Sequence, residues 1–395
     1  MPEILITLVT IGVVIGVILG ACSYLIWVER KLSAVMQDRI GPNRVGVWGL
    51  LQPIADGLKF LFKEEMVPSH VDKVLFVMAP AIALFTAMLS LAVVPFGPVD
   101  QAPWFMRYII APGIDIGLVY ILAIGSLNVY AVVLGGWASN NKYSAMGSLR
   151  ASAQVVSYEI PLGRSIVGIA LLGGTLSLEQ IQNTQAQAGI AGWYCWTQPL
   201  ALLIFFTASM AEANRLPFDL AECEQELIGG FHTEYGALKF GLFFLGEYTH
   251  VILISLLTSI LFFGGWHFPV IAEAGSTYPL SSLVKLAVLF AKAGMVIFLI
   301  VVLRWTIPRF RFDQLMGLSW KVLIPMGMLN VLVVMTALQF GWSRWLLGPL
   351  SLLIFVIAGA ISVAAKQREI RNRPLAAQKS FGSANVGDVA LESAS

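Results

Sequence analysis

The chain has 395 residues, is 57% hydrophobic with a mean hydropathy of +0.79, and carries charge on only 12% of its residues, a composition that excludes a soluble domain of this size. The formal net charge is +2, and no nucleic-acid partner is expected. The three cysteines (Cys22, Cys195, Cys223) and four histidines (His70, His232, His250, His267) are far apart, which gives neither a disulfide framework nor a metal or cluster spacing. Any electron carrier is therefore expected on another chain.

A membrane span needs about 20 apolar residues. Nine segments qualify: 4–28, 74–94, 113–137, 155–176, 197–213, 240–265, 284–304, 322–340 and 345–365. The predicted class is an all-α polytopic membrane protein, with one membrane domain over 1–365. The first segment has Glu3 where a secretory signal is basic, is too long for a signal core, and is followed by Glu29-Arg30-Lys31. It reads as a retained helix. After it, Arg39-Ile40-Gly41-Pro42-Asn43 is turn chemistry. Residues 50–63 then place Leu50, Leu51, Ile54, Leu58, Leu61 and Phe62 at helical spacing, with Asp56, Lys59 and Lys63 along another face. That pattern predicts an amphipathic helix lying in the interface.

If the N-terminus is outside, the cytoplasmic segments hold 20 of the 25 Lys and Arg residues, whereas the loop 177–196 holds none. This asymmetry predicts an outer N-terminus and a cytoplasmic C-terminus. Arg164 and Lys292 fall inside apolar runs and either snorkel or, for Lys292, face a proton path. The tail 366–395 begins basic, turns rich in Ala, Ser and Gly, and reads as disordered.

The chemistry concentrates between the fifth and sixth spans, where Glu212, Asp219, Glu222, Glu224, Glu226, Glu234 and Glu247 fall within 36 residues. Ionisable groups at membrane depth are costly and mark ion or proton paths. Glu222, Glu224 and Glu226 share a face if extended, whereas a helix aligns only Glu222 and Glu226. Three carboxylates so close do not all ionise cheaply, and Arg215 is the obvious counter-charge. Glu159 lies two residues before Pro161, which removes a backbone donor and is expected to open the helix there. Arg150 is a candidate counter-charge for Glu159 if the helix begins before it. His250, on an apolar helix, reads as packed or hydrogen-bonded rather than as a haem ligand.

Three long blocks carry a resemblance. The first is Glu29-Arg30-Lys31-Leu32, Met36-Gln37, Arg39, Gly41-Pro42-Asn43, Val45-Gly46 and Gly49 through Gly57. The second is Glu212-Ala213-Asn214-Arg215-Leu216-Pro217-Phe218-Asp219-Leu220 through Glu226-Leu227, Gly230-Phe231, Glu234-Tyr235 and Glu247-Tyr248. The third is Arg309-Phe310-Arg311-Phe312-Asp313-Gln314-Leu315-Met316 with Trp320-Lys321 and Pro325. In this order they resemble the membrane quinone-site subunit of respiratory complex I, a family that includes the H subunit of bacterial NADH:quinone oxidoreductase and mitochondrial NADH dehydrogenase subunit 1.

The resemblance implies a subunit that forms much of the quinone-access chamber and an acidic path coupling quinone reduction to proton pumping. Flavin and iron–sulfur clusters are implied on partner subunits, with quinone as substrate and no cofactor or metal on this chain. Implied partners are the hydrophilic quinone-site and terminal-cluster subunits, the small and antiporter-like membrane subunits, and the lipid bilayer of the bacterial cytoplasmic (inner) membrane. Glu159, Glu212 and Glu247 are assigned to the proton path. Asp219, Glu222, Glu224, Glu226, Glu234 and Arg215 form the coupling loop. Arg30, Gln37, Arg39, Asp56, Lys59, Phe231, Arg304, Arg309, Arg311 and Asp313 belong to the quinone chamber. Arg309 and Arg311 also suit lipid phosphates, and Phe231 suits an interface anchor.

Two other readings are a homologous membrane subunit of an energy-converting hydrogenase or ferredoxin-linked complex, without a quinone pocket, and a free-standing cation or proton transporter. A transporter's inverted repeat would interrupt corresponding segments in both halves, but the acids sit mainly in one half.

Overall fold

A computed structural model describes residues 3–98, 107–219, 229–269, 271–272 and 281–372, with 361–372 described as helix only. The chain begins with α1 (Glu3–Met36), α2 (Gln52–Phe62), α3 (Lys73–Ser90), α4 (Gly117–Ala138) and α5 (Lys142–Gly173). Three shorter helices follow: α6 (Leu178–Gln187), α7 (Tyr194–Thr197) and α8 (Pro199–Glu212). The remainder comprises α9 (Ala237–Phe262), α10 (Ser281–Thr306), α11 (Phe312–Leu318), α12 (Ile324–Gln339) and α13 (Arg344–Asn372). A π-helical turn, Ser319–Leu323, joins α11 to α12. Among the described residues, seven helices are long and apolar enough to cross a membrane, and Pro199–Glu212 and Arg344–Ala360 are shorter apolar helices. Together they fall on the nine apolar segments read from the sequence, so the chain is an all-helical polytopic membrane protein.

The helix ends show why hydropathy misplaces some boundaries. Hydropathy starts the fourth apolar segment at 155, but α5 starts at Lys142, where the Asn141 side chain accepts the Tyr143 N–H. Small and polar residues such as Ser144, Gly147 and Ser148 lower hydropathy there without breaking the helix. The helix stops at Gly174, whose φ of 68° is the left-handed cap that glycine adopts freely. Pro161 does not open it. The carbonyl that Pro161 leaves without its helical donor, that of Ser157, accepts the Ser319 hydroxyl at 2.6 Å. The neighbouring π turn thus repairs the backbone beside Glu159.

Arg150 is also corrected. It is exposed, and nine residues are about two and a half helical turns, so it points away from Glu159 on the opposite side of α5.

At the centre is α9, which is buried without interruption from Tyr248 to Phe262, as a helix apolar on all sides should be. It packs against α3, α10 and α1, while α5 packs against α4, α8 and α12. A second cluster ties α3, α4 and α9 to the loop before α9, with Phe76 stacked on Tyr235 at 4.0 Å. As expected of an interfacial helix, α2 buries no residue, and Leu61 and Phe62 are 65% and 86% exposed.

The loop 177–196 is more ordered than its polar composition implies, because α6 turns Gln182 and Gln185 inward. Gln185 donates to the Ile260 carbonyl at 2.9 Å, and its carbonyl oxygen accepts the Gly264 N–H at 3.1 Å. Lys292 neither snorkels nor joins an acid path. Its Nζ donates to the carbonyls of Phe263, Gly265 and His267 at 2.6, 2.9 and 2.7 Å, which holds the chain just beyond α9. Arg164 donates to the Ile324 carbonyl at 3.2 Å and so joins α5 to α12.

Close approach of α4 and α5 depends on Gly136, where an added Cβ would lie 2.3 Å from the Ser148 Cβ and 2.9 Å from the Ser144 carbonyl oxygen. Substituting Gly136→Val is expected to force these helices apart and cost about 1–3 kcal/mol. A lowered thermal midpoint of the detergent-solubilised protein would show this; an unchanged midpoint would contradict the packing.

Candidate functional site

Along α1, Ile18, Cys22, Leu25, Glu29 and Ser33 recur at helical spacing and are buried. Glu29 therefore lies on the inward face, not at a solvated boundary. Its Oε2 accepts the Tyr248 hydroxyl at 2.5 Å and lies 3.7 Å from Arg215 Nη1, while Oε1 accepts the Arg304 guanidinium. One carboxylate thus joins α1, α9, α10 and the turn after α8.

The Arg215 guanidinium also lies 4.1 Å from the centre of the Tyr248 ring. Burial opposes its charge, but Tyr248, Glu29 and Glu247 outweigh that effect, so it stays protonated. Two guanidiniums need more than one acid nearby, and Glu247 and Asp219 are the others. Arg309 lies 3.6 Å from Asp219. Burial pushes the Asp219 carboxyl up to about 6 against the pull of Arg309, so it titrates close to neutral pH. These groups surround a cavity of about 70 Å3 lined by Arg215, Asp219, His232, Glu247, Tyr248 and Arg304. Burial lowers the His232 pKa, favouring the neutral ring.

Further in, Glu247 borders a second cavity of about 20 Å3 with Glu212, His250, Asn128 and Asn214. Glu212, the last residue of α8, has Oε1 3.1 Å from His250 Nε2. On α4, Gly125 lets the backbone approach this carboxylate: a Cβ there would lie 3.4 Å from Oε1. Glu159 on α5 is within electrostatic reach of Glu212. The three acids assigned to one path thus come from α9, α8 and α5 in succession.

The first sequence block forms a second assembly. Arg30 and Lys59 lie 2.7 and 3.5 Å from Asp56, and Gln52 donates to Asp56 at 3.2 Å. Between α1, α2 and α9 is a cavity of about 150 Å3, with Trp27, Phe60, Phe244 and Leu245 as apolar walls and Arg30 and Asp56 as polar ones. It shares Arg30 and Gln52 with an open groove of about 580 Å3 that Arg39 and Arg44 border. Gln37 is exposed and accepts from Arg39 Nε at 2.6 Å.

The third block divides. Arg304 and Arg309 join the buried cluster, whereas Arg311 and Asp313 are exposed at the start of α11, apart from it. Phe231 is buried edge-on against Phe243 and borders the 20 Å3 cavity, so it is not an interface anchor. Glu234 accepts Asn141 Nδ2 at 2.8 Å and fastens its loop to the start of α5. Glu222, Glu224 and Glu226 lie outside the described residues. Sequence reasoning missed Glu29, Tyr248 and His250 as partners of this site. The available signal was an acid recurring on the apolar face of the first span.

The NADH dehydrogenase family model matches residues 9–335. The NADH-quinone oxidoreductase H subunit of Flavobacterium johnsoniae is 46% identical over 331 residues, covering 82% of this chain and 93% of that protein. The H subunit 1 of Cytophaga hutchinsonii is 46% identical over 310 residues, with 78% and 90% covered. The H subunit 2 of Koribacter versatilis is 45% identical over 343 residues, with 84% and 96% covered. The chain belongs to the NADH dehydrogenase family, among the multi-pass membrane H subunits of NADH-quinone oxidoreductase.

Proposed function

We propose that this chain is the inner-membrane subunit of a proton-translocating NADH:quinone oxidoreductase that admits quinone between α1, α2 and α9 and couples its reduction to proton movement along buried acids. One observation carries this reading: successive cavities share their walls. The 150 Å3 cavity meets the 70 Å3 cavity at Phe244, which in turn meets the 20 Å3 cavity at Asn214, Phe243 and Glu247. These neighbouring cavities line up from the aromatic cavity beside α2 to the Glu212–His250 pair, which supports a path between them.

The division of labour follows from the wall chemistry. An isoprenoid tail suits Trp27, Phe60 and Phe244, while the Arg30–Asp56 pair flanks the way in. No residue here supplies electrons. Two electrons come from a cluster on a hydrophilic partner subunit, which flavin serves in turn, and two protons complete the quinol. This chain positions the quinone and moves protons. A negative charge appearing near Arg215, Arg304 and Arg309 disturbs a near-balanced set of three arginines and three acids, which favours protonation of Asp219, Glu247 or their neighbours. Glu212 and Glu159 then lead toward the small and antiporter-like membrane subunits. The aromatic opening beside α2 favours quinone over a hydrogenase-type subunit without a quinone pocket. With the N-terminus outside, α2 and the Arg215–Asp219 turn face the cytoplasmic side, where the hydrophilic subunits dock.

Glu212→Gln is expected to lower quinone reduction and proton translocation together by about tenfold or more in membrane vesicles. Normal coupled turnover in that variant would contradict the path. The raised pKa of Asp219 means that the folded state binds its proton more tightly than the unfolded chain. Its stabilising contribution is full below about pH 4 and is lost as pH rises through about 6. Asp219→Asn is therefore expected to remove that part of the fall in thermal midpoint between pH 4 and pH 7; an unchanged pH slope would contradict the assignment.

A further inference from the structure

We propose that His250 is a proton-transfer residue of this path, joining Glu247 to Glu212. The inference rests on the acid-path reading above and adds to it a group that carboxylate counting overlooks. His250 follows Glu247 at the i+3 position, so the two share one face of α9. That helix is enclosed over this stretch, and the His250 side chain is 7% exposed. An aliphatic residue would pack there without a desolvation cost. The imidazole offsets its cost through one specific partner, Glu212 Oε1 at 3.1 Å from Nε2, contributed by a different helix.

The surroundings suit transfer rather than a static bond alone. The cavity of about 20 Å3 that Glu212, Glu247 and His250 border has room for one water, with Asn128 and Asn214 as further polar walls. The acids facing this volume are Glu247 from α9 and Glu212 from α8, with Glu159 of α5 acting on Glu212. Arg215 interacts electrostatically with Glu247. Packed from α3 and α4, Ala83, Asn128 and Val132 present no charge to it.

Two carboxylates sharing a small enclosed volume resist simultaneous ionisation. A histidine between them offers a second carrier, because its ring has two nitrogens, one to accept a proton and one to donate it. A proton leaving Glu247 crosses the cavity and binds the neutral ring, which becomes an imidazolium. Nε2 then gives its proton to Glu212 Oε1. The result is an ionised Glu247, a neutral histidine and a protonated Glu212. One proton has moved, and no other reactant is needed.

The test uses the intact complex in membrane vesicles with the His250→Gln variant, whose amide still donates to Glu212 but carries no exchangeable proton charge. NADH oxidation by ferricyanide, a water-soluble acceptor reduced on the hydrophilic arm, checks assembly. The expected result is normal ferricyanide reduction, quinone reduction and proton pumping both lowered about tenfold, and a larger solvent deuterium isotope effect. Wild-type rate and isotope effect would overturn the proposal. Loss of assembled complex in both His250→Gln and His250→Asn would assign the ring a purely structural role and overturn it too. Glu212→Gln, measured in parallel, separates the two readings. If it is impaired while His250→Gln is normal, only the role of the histidine fails. If both are normal, the acid path itself fails.

Discussion

The Glu29 carboxylate, buried inside the helix bundle with two guanidiniums and a tyrosine hydroxyl as partners, is the constraint around which the site is arranged. Taking such ions out of water costs several kcal/mol each, and removing one partner of a buried pair costs about 3–5 kcal/mol. An arrangement of this kind persists only where its geometry is enforced. Here α1, α9, α10 and the turn after α8 each contribute one member, so the packing of the bundle and the charge pattern support each other. Arg215, Tyr248 and Arg304 also line the cavity that Asp219 and Glu247 border.

The central helix is held at its middle and beyond its C-terminal end by different chemistry. At its middle Tyr248 binds Glu29 and lies under Arg215. Beyond its C-terminal end, Lys292 and Gln185 bind the backbone groups that the end of α9 and the following turn leave without helical partners. Glu247 and His250 lie on this fixed helix, opposite Glu212 on α8. A fixed scaffold matters for proton transfer, because small errors in donor–acceptor distance are costly in rate. Asp219 and Arg309 sit outside the spans in the connecting segments, where a carboxyl titrating near neutral pH senses a change in nearby charge.

Much of this was legible in the sequence. Apolar runs located the spanning helices, the helical spacing over 50–63 located α2, and the acids after the fifth span marked the site. The rest depended on contacts between residues far apart in the chain. Hydropathy treats Glu29 as the end of a helix, although α1 continues to Met36 and turns the acid inward. Likewise the glutamines of α6 look like a solvated loop until the backbone groups they bind are known. Pro161 looks like a break because the Ser319 hydroxyl that takes the freed carbonyl lies on another helix. Arg150 fails as a partner of Glu159 for a simpler reason: nine residues bring a helix to its opposite face.

The most direct test of the account is Glu29→Gln in the assembled complex, with thermal midpoint, quinone reduction and proton translocation measured on the same preparation. Because this one carboxylate holds four segments of the bundle together and fixes the two arginines beside the other acids, the account predicts that all three fall together. A variant that keeps the wild-type midpoint and full coupled turnover would contradict it.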